Sequence, residues 1–223
     1  MSTLTKTTRL TVLLLFVFCA MPLHPALAAE PAVGTVSRIQ ATAMIDGEEV
    51  AQGAPVFQGS TLSTTENGRL EVIFNDKTKL LVGGASTFIV DDFAYNPEKD
   101  KTVDKAFFNL VKGSFRMITS QLIDASPDSF GVKTPLASIG IRGTDFWGGY
   151  LSPIEIDIVM LEGKGVIITS MGGMVEISEP GVGVSVPDPT KHPQGYAKAL
   201  LPPEQTKWSA EKIANATATV SFD

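Results

Sequence analysis

The 223 residues carry 24 acidic against 18 basic side chains, a net charge of −6. No basic stripe offsets that balance, which excludes nucleic acid as the natural partner. The one cysteine, Cys19, lies in the N-terminal apolar run, so the chain beyond it has neither disulfides nor cysteine chemistry.

In chain order, the first element is a targeting segment. Lys6 and Arg9 precede the apolar run Leu10 to Leu23, and Ala26-Leu27-Ala28 follows as a small-x-small step. This is the layout of a secretory signal peptide over residues 1–28, cleaved after Ala28. A membrane anchor would need about 20 apolar residues, and this run is shorter and interrupted by Pro22. Phe16-Val17-Phe18 before Cys19 is no lipoprotein box. Cleavage leaves 16 basic and 24 acidic residues, a net of −8 on 195 residues, enough for a domain with a real core. The expected location is the periplasm or the exterior.

From Val33 to about Pro187 the pattern is that of strands. "RLEVIFN" sets Leu70, Val72 and Phe74 against Arg69, Glu71 and Ile73, a period of 2 between the turn pairs Asn67-Gly68 and Asn75-Asp76. "TKLLVGG", "TFIVDDF", "AFFNLVKG", "SFRMITS", "IEIDIVMLEG", "GVIITS", "MVEIS" and "GVSVP" follow. Short β-branched runs with frequent turns predict an all-β domain over residues 29–187, as a sandwich, a barrel or a solenoid-like stack. Gly84, Gly113 and Gly163 have no fixed period and read as tight strand ends. Residues 95–105, "YNPEKDKTVDK", read as a charged solvated loop.

Composition changes at Pro187. Residues 188–223 read as a proline-rich connector and a short C-terminal helix over "PPEQTKWSAEKIANATA". Glu204 falls in its first turn, with Leu201, Trp208 and Ile213 as contacts. The helix either docks on the β domain or serves as a partner-binding tail.

Chemistry is scarce. The only histidine after the signal segment is His192, in the connector, where a solvated loop residue is the plain reading. Asp91, Asp92, Asp124, Asp128 and Asp145 are candidates for a carboxylate pair by residue type alone. Asp91 and Asp92, as strand neighbours, are expected to point to opposite faces. "GIRGT" lacks the lysine and helix of a phosphate loop. No metal site, cofactor site or catalytic residue is assigned.

The densest stretch is "TPLASIGIRGTDFWGGY", residues 134–150. Pro135 cannot donate to a ladder, so Thr134-Pro135 starts or bends a strand. Gly140 and Gly143 suit positive φ or close approach, and Thr144 can cap a turn. Phe146 is expected inward, with Asp145 and Trp147 on the other side. Two readings stay open: a β-corner braced by the planar fork of Arg142, or a ligand pocket built on Arg142 and Trp147.

The same residues resemble the FecR-type domain. Thr134-Pro135-x-Ala137 leads through Gly140 into Arg142-Gly143-Thr144-x-Phe146, as in that family's signature. "FFNLVKGSFRM" is similar to its Leu-x-x-Gly-x-x-Arg segment, with Gly113 and Arg116. "GAPVFQGSTLSTTENGRLEVIFND", "FGVKTP" and "IEIDIVMLEGKGVIIT" match in order, so the resemblance covers about residues 50 to 170. It implies a domain without catalysis, whose signature residues are structural. The name-giving members are membrane-anchored anti-sigma regulators that carry an iron-uptake signal. This chain departs from them in lacking the cytoplasmic segment and the membrane helix. The expectation is therefore a stand-alone exported module binding an envelope protein or a polysaccharide. The alternatives are a sensor in cell-surface signalling and a carbohydrate-active enzyme with paired carboxylates.

Overall fold

The computed structural model describes residues 30–95, 103–119 and 129–222. Strand accounts for 57% and helix for 8%, so the all-β expectation holds. The signal segment lies outside the described residues, as do Asp124, Asp128 and the middle of the 95–105 loop. The ends of that loop are strand, with Tyr95 paired to Val103. Residues 31–223 form one unit. Among the described residues no helix is long and apolar enough to cross a membrane.

The first strands are β1 (Gly34–Gln40), β2 (Ala43–Ile45), β3 (Glu48–Glu49), β4 (Pro55–Val56), β5 (Thr61–Thr64), β6 (Arg69–Phe74), β7 (Lys79–Val82) and β8 (Thr87–Tyr95). Next come β9 (Val103–Lys112), β10 (Ser114–Ile118), β11 (Phe130–Lys133), β12 (Ala137–Ser152), β13 (Glu155–Ser170), β14 (Gly173–Ile177) and β15 (Val182–Pro187). The tail holds α1 (Gly195–Ala199), β16 (Thr206–Lys207) and α2 (Ala210–Ala218).

One long hairpin organises the sheet. β12 and β13 have 16 residues each and pair along most of their length. The other edge of β12 is shared: β11 takes Ser138 to Gly140 and β10 takes Asp145 to Gly149. Two arms therefore leave one strand, β11-β9-β8-β5-β2-β3 and β10-β7-β6-β1-β4, and the sheet curls into a half-barrel. β13 divides likewise, with β14 on Val166 to Ser170 and β15 on Glu155 to Val159. "IEIDIVMLEG" and "GVIITS" are thus one strand running through Gly163, which is no strand end. Gly163 has φ +119°, and a Cβ there would lie 2.4 Å from the carbonyl oxygen of Gly143, itself at φ +53°.

Phenylalanines fill the space between the arms. Phe74 of β6 packs 5.2 Å from Phe108 of β9, and Phe115 of β10 lies 5.2 Å from Phe88 of β8. Phe146 of β12 meets Phe115 edge-on at 5.4 Å. All five are buried, and such pairs add about 0.5–1.5 kcal/mol each beyond area burial.

The β12–β13 register slips between Asp145 and Phe146, beside the positive-φ Gly143 and Gly163, and such a bulge bends the hairpin. Two threonines, not Arg142, stitch that bend. The Thr144 hydroxyl donates to Gly165 O at 2.8 Å, and Thr144 N–H donates to Thr119 Oγ1 at 2.7 Å. Thr119 Oγ1 donates in turn to Thr144 O at 3.1 Å, and both side chains are buried. Arg142 stands half-exposed, its guanidinium 3.6 Å from Glu176. The reason is strand parity: Ile139 and Ile141 face inward, so Arg142 faces out. The guanidinium that does brace is Arg116, which grips Asp145 with two bonds of 2.8 and 2.6 Å. Gly140 lies in β12 without a positive φ, contrary to one option above. Thr134 caps the β11–β12 turn, its hydroxyl bonding the backbone of Ala137. Gly113, at φ +92°, turns β9 into β10 where a Cβ would meet Ser86.

The tail docks. Residues 202–208 are not helical, with only Thr206–Lys207 in strand; α2 begins only after Ser209, whose hydroxyl accepts from Lys212 N–H at 3.1 Å. Glu211, not Glu204, occupies its first turn, and Leu201 is exposed. α2 lies over the outer side of β12 and β13: Trp147 Nε1 donates to Thr219 Oγ1 at 3.0 Å, and Lys212 reaches the buried Asp157 at 2.9 Å. Trp208 packs on Trp147 and beneath the Lys212 ammonium.

Three outcomes follow from this packing. Gly163→Ala should cost about 3 kcal/mol through strain and the clash with Gly143, read by urea melts. Arg116→Ala should cost about 1–3 kcal/mol and leave Asp145 unpaired, while Arg142→Ala stays within about 0.5 kcal/mol of wild type. Asp76, in the β6–β7 turn, is buried and accepts from Thr78 N–H and hydroxyl at 2.9 and 2.8 Å. Burial outweighs those bonds and raises its pKa above the ordinary 3.8. With a raised folded pKa, its contribution is present at low pH and lost as pH rises through the folded value. Asp76→Asn should therefore match wild type near about pH 3 and gain on it by about pH 7; a relative loss on going to pH 7 would reverse the assignment.

Candidate functional site

The outer face of the first arm carries an unusual row. Strand alternation sends Phe107 and Asn109 of β9, Gly131 and Lys133 of β11, and Ser138, Gly140 and Arg142 of β12 outward, since Phe108, Val132, Ile139 and Ile141 face the core. The register then aligns Asp92, Phe107, Gly131, Gly140, Ile167 and Glu176 across six strands. Two glycines face each other at its centre. Strands lie about 4.8 Å apart, so a row with two missing side chains is a trough roughly two strands wide, walled by Phe107 and Ile167.

The trough opens a depression of about 290 Å³, whose one charged lining residue is Lys133. The next row supplies its polar rim: Asn109, Lys133, Ser138 and Thr169 are aligned, with Met174 at the end. Met174 is 70% exposed, unusual for so large an apolar side chain. Arg142 stands two residues beyond Gly140 on the same face of β12.

A second depression, about 370 Å³, shares Phe107 and Lys133 and adds Gln58, Asp91 and Asp92. This corrects the expectation that Asp91 and Asp92 point apart. A bulge between Val90 and Asp92 leaves Asp91 unpaired and puts both carboxylates on this surface. Asp92 is held by Lys105 at 3.4 Å.

The remaining candidates fall elsewhere. Asp145 is committed to Arg116. Trp147 is fully buried against Trp208 while Arg142 stands in solvent, so the two do not form one pocket. His192 Nδ1 accepts from Gln194 N–H at 3.2 Å within its own turn. Of the signature positions, Thr134, Ala137, Thr144 and Phe146 are turned to the turn or the core, and Gly140 alone lines the trough. Phe107, Gly131, Lys133 and Ile167 were not singled out from sequence. One signal was available: in Phe107-Phe108, alternation sends one ring outward.

No curated protein matches the chain. Among solved structures it is similar to two crystal structures, at 2.50 and 1.65 Å resolution, of a candidate anti-sigma factor from Parabacteroides distasonis ATCC 8503. Identity is 13% in both, with TM-scores of 0.49 and 0.48. The match covers 69% of this chain and 62% of the other, so this chain spans less than two thirds of that protein. The FecR protein family matches residues 60–164, from the end of the β4–β5 loop to the middle of β13. That span takes in Gly113, Arg116 and the whole signature from Thr134 to Phe146, and over it this chain is similar to the FecR family.

Proposed function

We propose that this chain is an exported, non-catalytic FecR-domain module of the cell envelope, related to signalling, which holds an envelope ligand in the Gly131–Gly140 trough. The observation that carries the reading is the cross-strand row itself. A sheet face normally covers its backbone with side chains, and here two facing glycines carry none, Gly131 buried at the floor and Gly140 partly open, between an aromatic and an aliphatic wall. Such concave sites with few convergent polar groups are where ligands bind. The N-terminal pattern of Lys6, Arg9, the apolar run and Ala28 supports export.

The enzyme alternative finds less support. A general acid needs a setting that keeps its proton, as an apolar burial site does. Asp91 stands in solvent and Asp92 is engaged by Lys105 on the surface. Binding without chemistry is the better use of this arrangement.

Ser138 is exposed on the rim, so an indole there blocks the trough without entering the core. In cells that produce the full chain, wild type should sediment with the envelope fraction. Ser138→Trp should move to the soluble fraction while melting at the same temperature. Equal sedimentation of the two, or a wild type wholly soluble, would remove the trough from function.

A further inference from the structure

We infer that the ligand of the trough is a glycan chain; this rests on the trough being the binding surface, and names its occupant. The sheet topology removes the commonest way of holding a peptide. β9, β11, β12 and β13 are each paired on both edges, so a chain laid in the trough meets no free ladder. Strand addition, which draws its affinity from main-chain bonds, is closed there. What the surface offers instead is one aromatic ring and a mixed set of side-chain donors and acceptors.

That set fits hydroxyls. A sugar hydroxyl both donates and accepts. The second depression answers with carboxylates that only accept, Asp91 and Asp92, an ammonium that only donates, Lys133, and an amide that does both, Gln58. An anionic ligand would meet the two carboxylates, and a cationic one would meet Lys133. Phe107 is shared by both depressions, so its ring stands at their junction. The C–H face of a pyranose is apolar and packs on such a ring, while the glycine floor leaves room for the next residue of a linear chain. The bulge at Asp91 has a purpose in this arrangement. Without the extra residue one of the two carboxylates would face the core.

The test uses the full exported chain and four probes: cellohexaose, chitohexaose, maltohexaose and amidase-released peptidoglycan strands, each titrated by calorimetry. At least one should saturate the wild type. Phe107→Ala should weaken it about tenfold, the size of a lost ring contact, and Ser138→Trp should abolish it with melting unchanged. Asp91→Asn, which keeps the shape but alters the acceptor set, should weaken the same probe. Retention on the envelope should survive digestion of envelope protein by proteinase K. Failure of all four probes to bind, or binding indifferent to Phe107→Ala and Ser138→Trp, overturns the inference. If proteinase K abolishes retention while Ser138→Trp still releases the chain, the occupant is a protein; the glycan is then wrong and the trough remains the binding surface.

Discussion

Everything in this structure depends on the bend in the β12–β13 hairpin. A straight 16-residue hairpin could not give its two halves to separate arms that face each other. The bend needs backbone that only glycine tolerates at Gly163, against the carbonyl of Gly143. It also leaves ladder groups without strand partners in a buried place, where each would cost about 1–3 kcal/mol. Thr144 and Thr119 take up those groups with their own hydroxyls and amides. Two small polar residues suffice because the gap is local. An arginine would have brought a charge into the core.

The bend creates two outer surfaces with different fates. On the second arm, Trp147 and Val159 would form an apolar patch, and Asp157 a charge, were they left open. The tail closes that side with Trp208, Val220 and the Lys212 ammonium. Asp157 is buried while Lys212 reaches it from a partly exposed position, so removing Lys212 would take its cation from a buried carboxylate, and the pair fixes the tail's place as much as it adds stability. The first arm has no corresponding cover among the described residues, and there the glycine row lies. The asymmetry explains why two sides of one sheet do different work: one is packed as interior, the other is left shaped.

How much of this could be read from the chain is decided by range. The alternation of Leu70, Val72 and Phe74 is local, and it gave strand and face correctly. Thr134-Pro135 is local too, and it falls at a turn. The errors come where a second strand sets the answer. Gly163 looks like a strand end until Thr144 is placed opposite it. Asp91 and Asp92 look divided until the register with β9 shows the bulge. Arg142 looks like a brace because arginines brace bends, yet parity counted from Ile141 already sends it outward. The trough was invisible because Phe107, Gly131, Gly140 and Ile167 are scattered over 60 residues and meet only through three separate pairings.

That scatter also bears on what a shared signature can carry. Most of the positions by which this chain resembles the FecR family act on the fold: Thr144 at the bend, Thr134 at the turn, Gly113 at the β9–β10 connection, Arg116 on Asp145. The groups with which a ligand would be met, Phe107, Lys133, Asp91, Asp92 and Gln58, lie outside that signature. Their side chains point to solvent, where substitution costs the fold little. A chain can therefore keep the bend, the arms and the phenylalanine core while its outer face is rewritten. The family likeness transmits an architecture with a place to bind, and the chemistry of that place has to be read from each chain's own outward residues.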